Sequence, residues 1–171
     1  MKKTDQFQFR FEVESADLTR VRSIVAATEF FTPAEVDIAV ELVEERLAKG
    51  KVSGYEFILA DSNSALAGYV CYGEIPCTVG SFDIYWIVVA PECQGAGLGR
   101  KLMQLTEDQV RRLHGQRIYI DTSGREQYQA TRGFYARSGY MPACELPDFY
   151  GPGDSKVIYS MTLKKLKSPG D

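Results

Sequence analysis

Apolar and polar residues alternate from Phe7 to Val13 in "FQFRFEV", the period of a half-buried strand. The period then lengthens. Leu18, Val21, Ile24 and Val25 share one face of a predicted helix that Ser15 can cap and that ends near Thr28. Thr32-Pro33-Ala34-Glu35 is a capping box with proline at the first helical position, and Val36, Val40, Val43 and Leu47 carry the apolar face of a second helix to Gly50. "YEFILAD" and "ALAGYVCYG", joined at Ser62 and Asn63, read as a hairpin, and "SFDIYWIVV" as a third strand ending before Pro91. A helix from about Gly97 to His114 stops at Gly115. "RIYID" follows as a strand, and "EQYQATRGFYARSG" as a helix closed by Gly139. "YMPACEL" and "KVIYSMTL" complete the pattern as two strands, separated by the loop "PDFYGPGDS".

The order β-α-α-β-β-β-α-β-α-β-β, with no repeat and no linker, predicts one α/β domain over residues 1–171. With 44% apolar residues the chain can bury a core, and a net charge of −3 suits a cationic or neutral substrate better than nucleic acid. No apolar run approaches the roughly 20 residues that span a bilayer, so no membrane partner is expected. "MKKTDQFQFRF" lacks the apolar stretch of a secretory signal. Cys71, Cys77, Cys93 and Cys144 show neither a CxxC pair nor zinc spacing, and read as reduced structural cysteines of a cytoplasmic protein. The single histidine, His114, rules out a multi-histidine metal site and sits where a cation favours a helix C-terminus, so no metal is expected.

The run Gln94-Gly95-Ala96-Gly97-Leu98-Gly99-Arg100 lies between a strand and a helix. A helix start carries unpaired N–H groups and about half a positive charge, and glycines let successive amides converge on a ligand. This is the pattern of a pyrophosphate cradle. A P-loop would require Gly-Lys-Ser/Thr, which Arg100-Lys101 does not supply. A dinucleotide fingerprint would require glycine at Arg100 and βαβ units before it, although Asp121 could mimic the ribose-binding acid.

"VVAPECQGAGLGRKLM" resembles the cofactor motif of the GNAT superfamily of N-acetyltransferases, through Val89, Pro91, Gln94, Gly97 and Gly99. "FYARSGY" resembles that superfamily's second signature, through Tyr135, Gly139 and Tyr140. The order of elements matches over nearly the whole chain. The resemblance implies a mixed, mostly antiparallel sheet of six or seven strands flanked by four helices, with a splayed parallel strand pair. It also implies acetyl-coenzyme A as donor. The pyrophosphate would rest on the amides of Gln94, Gly95, Ala96, Gly97, Leu98, Gly99 and Arg100, and the pantetheine arm would pair with the backbone of Ile87, Val88 and Val89. Many relatives carry an asparagine early in the last helix; Tyr128 stands there in this chain and joins the expected cofactor contacts.

Acetylation of an amine needs a neutral nucleophile, donors for the tetrahedral oxyanion and a proton donor for the departing thiolate. By resemblance Tyr135 is the acid and Asp121, ending "RIYID", a candidate base. Asp83, on the same strand face as Tyr85, is the second candidate; Glu29 and Glu74 trail behind. No base is evident for Cys93, so direct transfer is preferred to an acyl-cysteine route. Phe30, Phe31, Asp148, Phe149 and Tyr150 are aromatic and acidic loop residues suited to a cationic acceptor group. A peptide α-amine, a lysine side chain and a small polyamine-like metabolite all remain open, as does a silent acyl-coenzyme-A-binding module. Exposed strand edges allow a homodimer as well as a monomer.

Overall fold

The computed structural model describes residues 7–63 and 65–163. Seven strands follow the order β1-β2-β3-β4-β5-β7-β6 in one sheet: β1 Gln8–Arg10, β2 Glu56–Ser62, β3 Ala65–Glu74, β4 Ser81–Val89, β5 Arg117–Ser123, β6 Met141–Gly151 and β7 Asp154–Thr162. The helices are α1 Asp17–Ala27, α2 Pro33–Lys49, α3 Leu98–Arg112 and α4 Gln129–Arg137. Contacts divide the chain into two compact units, Met1–Gly73 with Trp86–Thr106, and Glu74–Tyr85 with Glu107–Asp171.

In the first unit α1 and α2 lay Val21, Ile24, Val25, Val36, Ala39, Val40 and Val43 over Phe57, Leu59, Tyr69, Cys71 and Val88. The β2–β3 register slips at Ala60/Asp61, with Ala67 as the extra residue, which brings Leu66 onto the same face as Tyr69 and Cys71. The expected capping box is present: the Glu35 N–H donates to Thr32 Oγ1 at 3.3 Å and the Thr32 N–H to Glu35 Oε2 at 2.7 Å. Leu47, expected on the buried face of α2, is 37% exposed, and Arg46 is buried instead, donating to the Tyr55 carbonyl at 2.9 Å.

The strand expected from Phe7 to Val13 is only three residues long. Arg10 ends it by turning its guanidinium onto Asp17 in a bidentate pair of 2.7 and 2.6 Å, and onto Asp61 at 2.7 Å. Ser15 does not cap α1. Ala16 holds the N-cap position, and the wholly buried Asp17 accepts the Glu14 N–H at 2.8 Å.

The second unit contains the parallel pair. β4 and β5 pair from Ser81↔Arg117 to Ile84↔Ile120, where the ladder stops although both strands run on. β5 then pairs antiparallel with β7, and β7 with β6. Two helices end in the same motif. The Tyr140 N–H donates to the Tyr135 carbonyl at 3.1 Å and the Gly139 N–H to Ala136 at 3.0 Å; likewise Gly115 to Val110 at 2.8 Å and His114 to Arg111 at 3.0 Å. In the second case His114, not Gly115, takes the left-handed position with φ 61°. Gly115 is required for close packing, since a Cβ there would overlap Val110 and lie 2.8 Å from Phe82.

The segment "PDFYGPGDS" is mostly strand rather than loop. β6 runs to Gly151 but loses register between Leu146 and Gly151, so that Pro147 to Tyr150 bulge against the single residue Ser155. Prolines 142 and 147 are tolerated because β6 is the last strand in the order.

Candidate active site

The first unit carries the glycine turn. β4 ends at Val89, Pro91–Cys93 makes one 3₁₀ turn, and the chain then passes through Gly95 at φ 73° and Gly97 at φ 85°, angles that side chains disfavour. The first helical closure of α3 is the Lys101 N–H to the Gly97 carbonyl at 3.1 Å, so the amides of Leu98, Gly99 and Arg100 have no helical acceptor. No acidic residue lies in the first turn, and Arg100 and Lys101 stand there instead, the reverse of what the helix dipole favours. Unpaired amides, left-handed glycines and two cations are chemistry that fits a diphosphate.

The helix start is seated by Gly68 of β3. A Cβ there would lie 2.9 Å from the Val88 carbonyl oxygen and 3.2 Å from both Leu98 and Leu102. Gln94 Nε2 donates to the Val89 carbonyl at 3.3 Å, which ties the turn to the strand end. Val88 buries its side chain in the core, leaving only its backbone for a ligand, whereas Ile87 and Val89 are half-buried. Phe31 packs on Trp86 with ring centroids 4.7 Å apart; Phe30 is exposed beside Glu29, which takes φ 57°. Burial and the neighbouring Glu92 raise the Cys93 thiol above its ordinary range, which opposes thiolate chemistry there.

The second unit carries the ionisable groups. The register Asp83↔Tyr119 and strand alternation place Asp83, Tyr119 and Asp121 on one face of the sheet. Asp83 is half-buried, and its Oδ1 has no hydrogen-bond partner among the described residues. Burial, and after it the charge of Asp121, lift its pKa to about 6; Lys156 and the Ile84 backbone pull the other way. Asp121 Oδ2 accepts the Tyr150 hydroxyl at 2.9 Å and pairs with Lys156 Nζ at 3.0 Å. Lys156 lies 4.9 Å from the Phe149 ring centroid, so the cation–π contact expected of Phe149 is made within the protein. Asp148, at φ 55°, is occupied in the turn, its Oδ1 accepting the Gly153 N–H at 2.7 Å.

Tyr135 is buried on α4, with its ring 5.7 Å from Tyr159 in an edge contact. Burial first, then the charges of Asp121 and Tyr159, raise its hydroxyl well above the ordinary tyrosine range, so it stays protonated at neutral pH. Tyr128 immediately precedes α4, with the Arg125 guanidinium 5.8 Å from its ring centroid. The approach to α4 is held by Ser123, whose hydroxyl donates to Asp154 Oδ1, and by Arg125, 3.0 Å from Asp154 Oδ2. Arg132 adds bonds of 2.8 Å to the Ser123 and Arg125 carbonyls.

Lys156, Gly68 and the Ser123–Asp154 pair were not singled out by sequence reasoning. A lysine in a strand carries no local signal. Its partner lies 35 positions away in number and meets it only through the β5–β7 register.

The glycine turn leads from β4 into α3, in a mixed sheet with a parallel β4–β5 pair. The chain belongs to the Acetyltransferase (GNAT) family, whose model matches residues 22–140. It is similar to a GNAT-family acetyltransferase structure from Desulfovibrio desulfuricans, with 43% identity and a TM-score of 0.91 over 92% of this chain and 99% of that one. The fold is shared with an acetyltransferase-class protein of Salmonella typhimurium solved with acetyl-CoA (20% identity, TM-score 0.71, 96% and 98% covered). It is also shared with the ribosomal-protein-S18-alanine N-acetyltransferase of Escherichia coli (16% identity, TM-score 0.73, 96% and 98% covered). No curated protein matches the sequence.

Proposed function

We propose that the protein moves an acetyl group from acetyl-coenzyme A directly onto a primary amine, with residues 1–171 working as one acetyltransferase domain. The observation that carries this reading is the start of α3: amides without helical acceptors, two left-handed glycines and two cations where a helix ordinarily favours carboxylates. When bound, acetyl-coenzyme A supplies an activated thioester. Gln94 to Arg100 hold its diphosphate, the backbone of Ile87 to Val89 takes its amide arm, and Tyr128 is a further contact.

Deprotonating an alkylammonium of pKa about 10.4 at pH 7 costs about 4–5 kcal/mol, against about 1 kcal/mol for an α-amine near 8. The Asp83–Asp121 pair supplies the base and, being acidic, favours a cationic acceptor. Tyr135 is the acid that protonates the departing thiolate; its raised pKa keeps the hydroxyl protonated at neutral pH, as that role requires. Phe30, Phe31, Phe149 and Tyr150 are the aromatic residues proposed for acceptor contact. The cysteines at 71, 77, 93 and 144 are all unbridged, which suits the reducing cytoplasm, and no described helix is long and apolar enough to cross a membrane.

The test is thiol release from acetyl-coenzyme A with a polyamine, an aminoglycoside and an alanine-leading peptide as acceptors, in wild type and Tyr135→Phe. Amine-dependent release that falls in the variant supports the reading. Tight cofactor binding with no release from any acceptor class would replace it with a silent acyl-coenzyme-A-binding module.

A further inference from the structure

One oxygen of Asp121 is held from two strands. The Tyr150 hydroxyl, from the bulge of β6, donates to Oδ2 at 2.9 Å, and Lys156 Nζ, from β7, lies 3.0 Å from the same atom. Lys156 is steadied in turn by the Phe149 ring at 4.9 Å, and Phe149 stands edge-on to Tyr150 at 5.0 Å and 85°. Asp83 is the opposite case. It shares the sheet face and lies within reach of the same charges, yet its buried Oδ1 meets no donor among the described residues.

A base needs an available lone pair and a proton affinity matched to the working pH. Asp121 Oδ2 is already engaged by an ammonium and a hydroxyl, whereas no donor among the described residues engages Asp83 Oδ1. We propose that Lys156 and Tyr150 are positioning residues that hold the Asp121 carboxylate in place through Oδ2, and that Asp83 is the carboxylate receiving the amine proton. This rests on the acetyl-transfer reading and divides the labour within its acidic pair.

An ammonium acceptor gives one proton to Asp83. The neutral nitrogen attacks the thioester carbonyl; the C–N bond forms, the C–S bond breaks, and the nitrogen's second proton ends on the coenzyme A sulfur. Asp83 then returns its proton to solvent. The charged groups that act on Asp83 are Asp121 of β5 and Lys156 of β7, and Tyr119 of β5 stands opposite it in the register. Asp121 raises the proton affinity of Asp83 and Lys156 lowers it.

The experiment is a carbon-13 NMR titration of the aspartate carboxyls in the full chain, assigned with Asp83→Asn and Asp121→Asn. In wild type Asp83 titrates near pH 6. Lys156→Gln raises that midpoint by about one pH unit and Asp121→Asn lowers it by a similar amount, while Lys156→Arg restores it. In thiol release with the best acceptor of the amine panel, Asp83→Asn loses about 100-fold or more in kcat. Lys156→Gln moves the acid limb of kcat/KM upward together with the NMR midpoint. An Asp83 midpoint unmoved by Lys156→Gln would overturn the proposal, as would an Asp83→Asn variant within threefold of wild type. Failure of the wild type to release thiol with any amine would sink acetyl transfer and the base assignment with it. The NMR midpoints would still judge the hold of Lys156 on Asp121.

Discussion

Gly68 of β3 and Val88 of β4 approach so closely that a Cβ on the glycine would stand 2.9 Å from the Val88 carbonyl oxygen. Leu98 and Leu102 of α3 would be met at 3.2 Å, so the same glycine sets the distance between the sheet and the start of the helix. Gly68→Ala is therefore expected to cost about 1–3 kcal/mol through overpacking, read by urea denaturation. Coenzyme A affinity should fall with it, because the amides at the helix start move; calorimetry at a temperature where the variant is folded checks this.

At Gly95 space and strain separate. The position has φ 73° but nothing within 4 Å of an added Cβ. Gly95→Ala should lose only the roughly 1–2 kcal/mol of forcing alanine into the left-handed region. A tenfold or greater loss of coenzyme A affinity, measured where the fold is intact, would report obstruction of the cradle itself. Unchanged affinity would place the diphosphate elsewhere.

Tyr135→Phe keeps the buried ring and its edge contact with Tyr159, and removes the hydroxyl alone. The expected result is a fall in kcat of about 100-fold with the circular-dichroism spectrum and the KM for acetyl-coenzyme A little changed. A kcat within threefold of wild type would remove Tyr135 from the chemistry.

Asp83 links activity to stability. An aspartate ionises near 3.9 in an unfolded chain, and burial with Asp121 moves Asp83 to about 6 in the folded one. Between those values the folded state binds more protons, so stability is fully present below about pH 4 and declines as pH rises through 6. Asp83→Asn should accordingly be more stable than wild type at pH 7.5, by about 1–2 kcal/mol after allowance for partial exposure, and indistinguishable near pH 4. Thermal unfolding at the two pH values distinguishes this from a structural role, which would destabilise at both.

Asp17 is wholly buried against the guanidinium of Arg10. Asp17→Ala should cost about 2–4 kcal/mol in urea denaturation, towards the lower part of the range for broken buried pairs because Arg10 retains Asp61 at 2.7 Å. A loss below 0.5 kcal/mol would mean that solvent replaces the carboxylate without cost.

Much of this was legible in the chain, wherever the signal was carried by neighbours in sequence. Thr32 and Glu35 satisfy each other's backbone within one turn, and Gly139 closes α4 at φ 92°; both devices act over a few residues and were readable as such. The glycine turn from Gln94 to Arg100 was equally plain, because left-handed backbone and a helix start write themselves into residue type. Where local preference had a stronger distant competitor, the reading failed. Alternation favoured a strand to Val13, but the Arg10–Asp17 pair ended it at Arg10; Leu47 had the right period for burial, but Arg46 took the interior place to reach Tyr55, Glu12 and Glu56.

The amino-acid order by itself determined the succession of elements, the glycine turn before α3 and the identity of the acid–base candidates, since each depends on spacing along one backbone. Only the tertiary structure decided that Asp121 is bound by Tyr150 and Lys156 while one oxygen of Asp83 has no partner among the described residues. Those residues come from four strands, and what joins them is sheet register and burial, which raise or lower a charge's stability through neighbours that sequence distance does not reveal.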